Sequence, residues 1–255
     1  MELAEAEKLV MAASWYHSFE VLPGLWTPGE HRTDSASILN SRFNLPEDLT
    51  GMTALDIGAL DGPHSFELER RGAKVTSLDI QSPDVSGYGT ARKVRGSENT
   101  YIQGSVYHLV ELLKGQTFDI ILFFGVWYHL KNPVLAFEQI AGVMTTNSLL
   151  CFEGEVLKNY AENHDETEFQ DFELISRMAD SDLPISLYYS GRFKKSMYNW
   201  FIPNRACVNA WIETAGLQMK GHGFWDKHPN QRLYGTAIKR ENGRILVDNP
   251  VFTRD

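Results

Sequence analysis

LDIGALDGPHSF, residues Leu55–Phe66, joins an apolar run to the start of a helix, and the rest of the chain reads outward from it. The run Met52–Ile57 meets Gly58, the pattern of a buried parallel strand. Pro63 suits the first position of a helix, which is expected to reach Arg71 and stop at Gly72. Between strand and helix, Gly58 lets the backbone turn tightly. Gly62 keeps a Cβ away from any ligand that approaches the helix N-terminus. A second strand, Ala73–Asp79, ends on a carboxylate at the edge where open α/β sheets bind ligands.

Further strands are expected at Tyr101–Gln103, Phe118–Phe124 and Ser148–Val156, with helices at Val106–Lys114 and from Asn132-Pro133 to about Met144. Ser82–Thr100 is polar and shows no clear period. Strand and helix alternate at 20–30 residue spacing, which implies a parallel sheet with right-handed crossovers. The alternation breaks after Val156. Eight acids and one base, Arg177, fall between Glu162 and Asp182, read as a helical insertion. Pro203 is expected to open a helix to Ala215, and two last strands, Gln218–Trp225 and Leu233–Lys239, turn through His228-Pro229-Asn230 as an antiparallel pair. Ahead of Met52, Glu2–Ala13 reads as a helix, Leu22–Asp34 as an aromatic loop with Pro-Gly-type turns, and Ser35–Phe43 as a short helix. The organisation is a helical and aromatic cap over 1–50, a ligand-binding α/β domain over 51–240 with an acidic insertion at about 157–200, and a tail over 241–255.

The chain has 255 residues, with 24 Lys+Arg against 33 Asp+Glu, a net charge of −9. That balance argues against broad nucleic-acid binding, which needs clustered bases. Apolar residues make up 43%, which excludes disordered and collagen-like classes. No apolar run reaches the roughly 18–20 residues of a membrane span. The N-terminal MELAEAEKLV carries acids where a signal peptide carries bases, so the expected location is the cytoplasm, with Cys151 and Cys207 as reduced core thiols.

A dinucleotide would require G-x-G-x-x-G, but here Gly58 is followed by Ala59-Leu60-Asp61-Gly62, and Asp61 would repel a pyrophosphate. Asp79, 21 residues after Gly58, can accept hydrogen bonds from both hydroxyls of a ribose. Asp56 and Asp61 would favour an ammonium or a sulfonium. A nucleoside with an amino acid tail, S-adenosylmethionine (SAM), meets these conditions. The plainer alternative is that both glycines only shape a strand–helix turn.

LDIGALDG, the strand end TSLDI (Thr76–Ile80) and FDIILFFGVWYHLKNPVLAFEQIA (Phe118–Ala141) together resemble class I SAM-dependent methyltransferases over about Met52–Arg240. The resemblance implies a Rossmann-like, seven-stranded, mostly parallel sheet with a C-terminal antiparallel hairpin and helices on both faces. It also implies that Gly58 lies under the methionine moiety, with Ala59 beside it, and that Asp79 holds the ribose. Ile80 would pack on the adenine next to Gln81, Ser105 and Val106 would reach the adenine edge, and Phe124 and Gly125 would line the methionine pocket. GVWYHLKNP (Gly125–Pro133) and YNWFIPNRACVNAWIETAGL (Tyr198–Leu217) resemble the tRNA wobble-uridine carboxymethyltransferase group and its small-molecule relatives, in which the tyrosine matching Tyr128 faces the sulfonium substituent. That group holds a carboxylated SAM with a Lys-Gly-Pro-Phe segment. The corresponding WYHSFEVLPGLWTPGEH (Trp15–His31) lacks the lysine, which argues against a carboxylated cofactor and, with the charge, against tRNA.

The expected reaction is therefore O- or N-methylation of a small organic acceptor, with a tRNA-modifying enzyme or a non-catalytic SAM sensor as rivals. Tyr128, His129 and His17 are the catalytic candidates: a histidine near neutral pKa can take the acceptor's proton, or can instead only brace a loop. Tyr16 is expected at the cofactor, and Trp15, Glu153, Arg192 and Tyr198 at the acceptor. Each has a structural alternative: Trp15 and Trp26 as staples of the first helix, Glu153 or Glu155 as satisfied carboxylates, and Arg192 with Lys194 and Lys195 as a solvated face. His222, Asp226 and His228 lack metal-ligand spacing, so no metal is expected. The oligomeric state stays open between monomer and homodimer.

Overall fold

A computed structural model describes residues 1–157, 172–188, 197–227 and 230–241. Its elements are α1 (Leu3–Ala12), four short strands β1 (His17–Ser18), β2 (Glu20–Leu22), β3 (Leu25–Trp26) and β4 (His31–Arg32), then α2 (Ser35–Phe43). Next come β5 (Thr53–Ile57), α3 (Pro63–Arg70), β6 (Lys74–Asp79), α4 (Tyr88–Arg95), β7 (Thr100–Gln103), α5 (Leu109–Leu113) and β8 (Phe118–Phe124). The chain continues through α6 (Pro133–Gly142), β9 (Met144–Glu155), α7 (Phe172–Ala179), β10 (Ser186–Tyr188), β11 (Phe201–Pro203), α8 (Arg205–Thr214), β12 (Leu217–Lys227) and β13 (Asn230–Lys239). Seven strands form one sheet in the order β12-β13-β9-β8-β5-β6-β7. β6 runs parallel to β5 and β7, whereas β13 is antiparallel to β9 and β12. This is the Rossmann-like sheet with its closing hairpin. Among the described residues no helix is long and apolar enough to cross a membrane.

The chain divides into two compact units, Met1–Leu122 and Phe123–Asp255. In the first, Ala6 and Val10 of α1 share a buried cluster with Phe19, Val21, Phe66, Tyr88, Ala91 and Val94. Trp15 packs against that cluster and donates its indole N–H to the Val10 carbonyl at 2.7 Å. The N-terminal segment is thus built into this unit's core. Gly62 enters α3 at φ +87°, where a Cβ would stand 2.7 Å from the Tyr88 ring and 2.8 Å from the Phe66 ring. The glycine loop and α4 therefore meet ring against backbone, a contact no larger residue allows.

α4 lies inside the stretch read as aperiodic. Its buried residues are Tyr88, Ala91 and Val94, spaced by three, flanked by the left-handed glycines Gly87 and Gly96. Two turns of helix carry too few apolar positions to register as a period against the surrounding charge. The expectation for Pro203 is corrected too: Pro203 ends β11, and Asn204 caps α8. Asn204 is buried, and its Oδ1 accepts from the N–H groups of Cys207 (2.8 Å) and Ile185 (3.1 Å). Its Nδ2 donates to the carbonyls of Met178, Ser181 and Leu183 at 2.8–3.1 Å. An amide that saturates its donors and acceptors in this way outcompetes proline as the start signal.

Candidate active site

In the first unit the β5–α3 loop is tied to the tip of β6. The Asp79 carboxylate, nearly buried, accepts the Leu60 N–H on one oxygen at 2.9 Å and the Gln81 N–H on the other at 2.8 Å. Gly58 and Ala59 both donate to the Leu78 carbonyl, at 2.8 and 3.3 Å. Gly58 takes φ +79° and Leu60 φ +52°, so the loop coils back on itself between the two strands. The segment past Asp79 is fixed from β7. Gln103 donates to the Ile80 carbonyl at 3.2 Å and Tyr101 to the Gln81 carbonyl at 2.9 Å. Ile80 nonetheless leaves 73% of its surface exposed, an apolar face beside a preset carboxylate. Ser105 accepts from the Tyr107 N–H at 3.2 Å to cap the following turn, and Val106 is buried.

Asp56 and Asp61 lie below this surface. Asp56 accepts from Ser65 Oγ at 2.6 Å, and the chain of hydroxyls continues through Ser77 to Tyr88. Burial, partly offset by the Ser65 hydrogen bond and reinforced by the charge of Asp79, pushes its carboxyl up to about 6. A carboxyl whose folded value is raised above its unfolded 3.8 favours the folded state at low pH, and that contribution is lost as pH rises from about 4 through 6. Replacement by asparagine removes this dependence. Asp56→Asn should therefore gain stability relative to wild type between pH 4 and pH 7, by on the order of 3 kcal/mol, in urea unfolding at both values. The same stability difference at both pH values would contradict this.

Asp61 has no solvent exposure and turns toward the N-terminal segment. Its Oδ2 accepts the main-chain N–H groups of Tyr16 (2.9 Å) and His17 (2.7 Å), and its Oδ1 pairs with His17 Nδ1. The reading of Asp61 as a counter-charge for a cofactor cation is thereby replaced by a role in holding the cap. Tyr16 is half exposed, its ring 4.3 Å from that of His31. Trp15, expected at the acceptor, is spent on the α1–α4 cluster, while Trp26 is partly exposed beneath the Arg32 guanidinium.

In the second unit, Gly125 turns at φ +70° after β8 and donates to the Glu153 carbonyl at 2.8 Å. Trp127 is fully buried against Gly154 and donates to the Glu155 carbonyl at 2.9 Å. Tyr128 is nearly buried, and desolvation pushes its phenol up to about 12 despite the nearby guanidinium. That guanidinium is Arg232, which the sequence reading passed over. Arg232 grips Glu153 through Nε and Nη2, donates from Nη1 to Glu155 Oε1 at 2.8 Å, and donates from Nη2 to the Tyr128 hydroxyl at 3.2 Å. Glu153, expected to face an acceptor as an acid, is instead held by a cation. The available signal was register: Arg232 stands opposite Glu155 on the β13–β9 ladder. His129 donates from Nδ1 to the Tyr198 carbonyl at 3.1 Å, and desolvation lowers its pKa, so Nε2 carries a lone pair at neutral pH. Tyr198 is 69% exposed, and Arg192, Lys194 and Lys195 fall outside the described residues.

A family model described as a methyltransferase domain matches residues 55–152, from the glycine loop to β9. That stretch resembles a methyltransferase domain, and the fold is that of class I SAM-dependent methyltransferases. The chain is 24% identical over 173 residues to the tRNA U34 carboxymethyltransferase of Pseudoalteromonas translucida, a match covering 68% of the chain and 46% of that protein. It is 26% identical to the enzyme of the same description from Campylobacter hominis, covering 77% and 64%. The chain thus spans about half the length of the first of these relatives. Among solved structures, it resembles the N-terminal domain of EvdMO1, crystallised in the presence of SAH and D-fucose. The TM-score is 0.65 at 16% identity, covering 94% of this chain and 98% of that one. It also resembles the Burkholderia thailandensis 1,6-didemethyltoxoflavin-N1-methyltransferase, with a TM-score of 0.55 at 14% identity and coverage of 81% and 77%.

Proposed function

We propose that the chain transfers a methyl group from S-adenosylmethionine to an oxygen or nitrogen of a small organic acceptor. The observation that carries this reading is the buried Asp79 carboxylate at the tip of β6, hooked to the Leu60 N–H of the glycine loop. The residues fit the nucleoside. Each Asp79 oxygen spends one lone pair on a main-chain N–H and keeps another for a ribose hydroxyl, and exposed Ile80 offers an apolar platform for a base. Gly58, Ala59 and Tyr16 would hold the methionine end, with Gln81, Ser105 and Val106 around the base. When bound, SAM supplies an electrophilic methyl group whose departure leaves a neutral thioether. What the protein adds is chiefly alignment of the acceptor and exclusion of water. Phe124, Gly125, Tyr128, His129 and Tyr198 are the residues we assign to that task.

The curated relatives' name raises a second reading, carboxymethylation of tRNA. Two observations favour the small acceptor and the plain methyl group. The chain carries a net charge of −9, and Arg232 is already bound to Glu153 and Glu155, so a carboxylate on the transferred group would compete with two of the chain's own. Incubation of a bacterial small-molecule extract with CD3-labelled SAM, and of bulk tRNA with CD3-labelled SAM and separately with carboxy-SAM, separates the readings by mass spectrometry. We expect a CD3 group on a small molecule and neither a CD3 nor a carboxymethyl group on tRNA. Methylated or carboxymethylated wobble uridine with no labelled small molecule would overturn the proposal.

A further inference from the structure

The second histidine-bearing element, the N-terminal segment latched by Asp61, has an arrangement that the reading above leaves unused. We propose that His17 is the catalytic base that removes the acceptor's proton, with Asp61 as the residue that positions it. This rests on the methyl-transfer reading.

The geometry is that of an oriented imidazole. His17 Nδ1 faces Asp61 Oδ1, which in the neutral ring places the proton on Nδ1 and leaves Nε2 as the lone-pair nitrogen. The main chain on which the ring is mounted is fixed from three sides. Its N–H goes to Asp61 Oδ2, its carbonyl accepts Thr27 Oγ1–H at 2.7 Å, and Gly29 presses on it so closely that a Cβ there would stand 2.3 Å away. One fifth of the side chain remains exposed, whereas Asp61 is sealed. A base held to one tautomer and one position, with an open edge, is what proton abstraction demands.

Two histidines compete for the role, and their partners separate them. His129 Nδ1 backs onto a neutral carbonyl, that of Tyr198. His17 Nδ1 backs onto a buried carboxylate, which stabilises the imidazolium as it forms. Around His17 also stand the Tyr16 ring at 4.8 Å, the His64 ring at 6.5 Å, held neutral because burial drives its pKa to about 3, His31 opposite it on the β1–β4 pair, and the buried Asp56 carboxyl, whose charge acts on it. In the step itself, the acceptor's proton passes to Nε2 and the freed electron pair forms the bond to the methyl carbon. The carbon–sulfur bond breaks, and its pair stays on sulfur. The proton then leaves the imidazolium for solvent.

The test needs no known acceptor. Histidine side chains labelled with 15N are titrated by NMR in wild-type protein saturated with SAM and, separately, with S-adenosylhomocysteine, using His17→Gln to assign the His17 signal. A base beside the reacting centre feels the sulfonium charge, so its pKa should be lower in the SAM complex than in the S-adenosylhomocysteine complex by about one unit. The free protein should show the Nδ1–H tautomer, and Asp61→Asn should invert it. A His17 that titrates identically in both complexes overturns the proposal, since a purely structural latch is indifferent to charge on sulfur. Failure of wild type to bind either nucleoside would overturn the underlying methyl-transfer reading instead. As a second arm, His17→Gln should lower CD3 incorporation in the extract assay at least about 100-fold while leaving S-adenosylhomocysteine affinity within about threefold. Equal incorporation by variant and wild type would also sink the assignment.

Discussion

Arg232→Met should unfold at a temperature about 10 °C below wild type. The guanidinium has 16% of its surface exposed, and the Glu153 and Glu155 side chains 10% and 7%. Assembling such a group costs much of the Coulomb energy it returns, so the intact network contributes little net stability. Removing only the cation is another matter. Glu153 loses both of its charge-assisted hydrogen bonds and Glu155 loses one, while both carboxylates stay buried. Deletion of one partner of a buried pair costs about 3–5 kcal/mol. The triple replacement Glu153→Leu, Glu155→Leu, Arg232→Met should recover most of that, because no charge is then stranded. Thermal unfolding followed by circular dichroism reads both results. A single variant as stable as wild type would mean that the cluster is hydrated and not the closed unit described here.

The second large effect concerns affinity. Asp79→Ala should weaken binding of S-adenosylhomocysteine about 10- to 100-fold in titration calorimetry, or about 1.4–2.8 kcal/mol. Two causes combine. The direct one is loss of charge-assisted hydrogen bonds to the ribose. The indirect one is release of the Leu60 and Gln81 N–H groups, which leaves the glycine loop without its tether to β6. If release of the loop contributes, the variant's binding should show a more negative heat-capacity change, because binding then also orders the loop. Unchanged affinity would remove Asp79 from the site.

The sheet was legible because its signals are local. Phe118–Phe124 is apolar for seven residues except Asp119, and the burial of β8 follows that pattern, with Asp119 at the surface taking the Thr53 N–H and hydroxyl. Gly58 and Asp79 are likewise placed by strand ends that the sequence marks. What escaped depends on pairing across distance. Asp61 reads as a loop acid that could face a cation, yet its partner lies 44 residues earlier at His17. Arg232 reads as an isolated base at the head of an apolar strand, and only its register with Glu155 reveals the network around Tyr128. The four short strands before Ser35 have two or three residues each, below the length at which alternation can show. Their order comes from tertiary ties such as Thr27 to Phe19 and His17, which no local pattern encodes.

Native mass spectrometry of the purified protein shows whether this chain is built around a bound SAM nucleoside. One molecule of SAM or S-adenosylhomocysteine per chain is expected, either carried through purification or taken up on addition, with uptake weakened in Asp79→Ala. A wild-type protein that carries no nucleoside and ignores added SAM would contradict it.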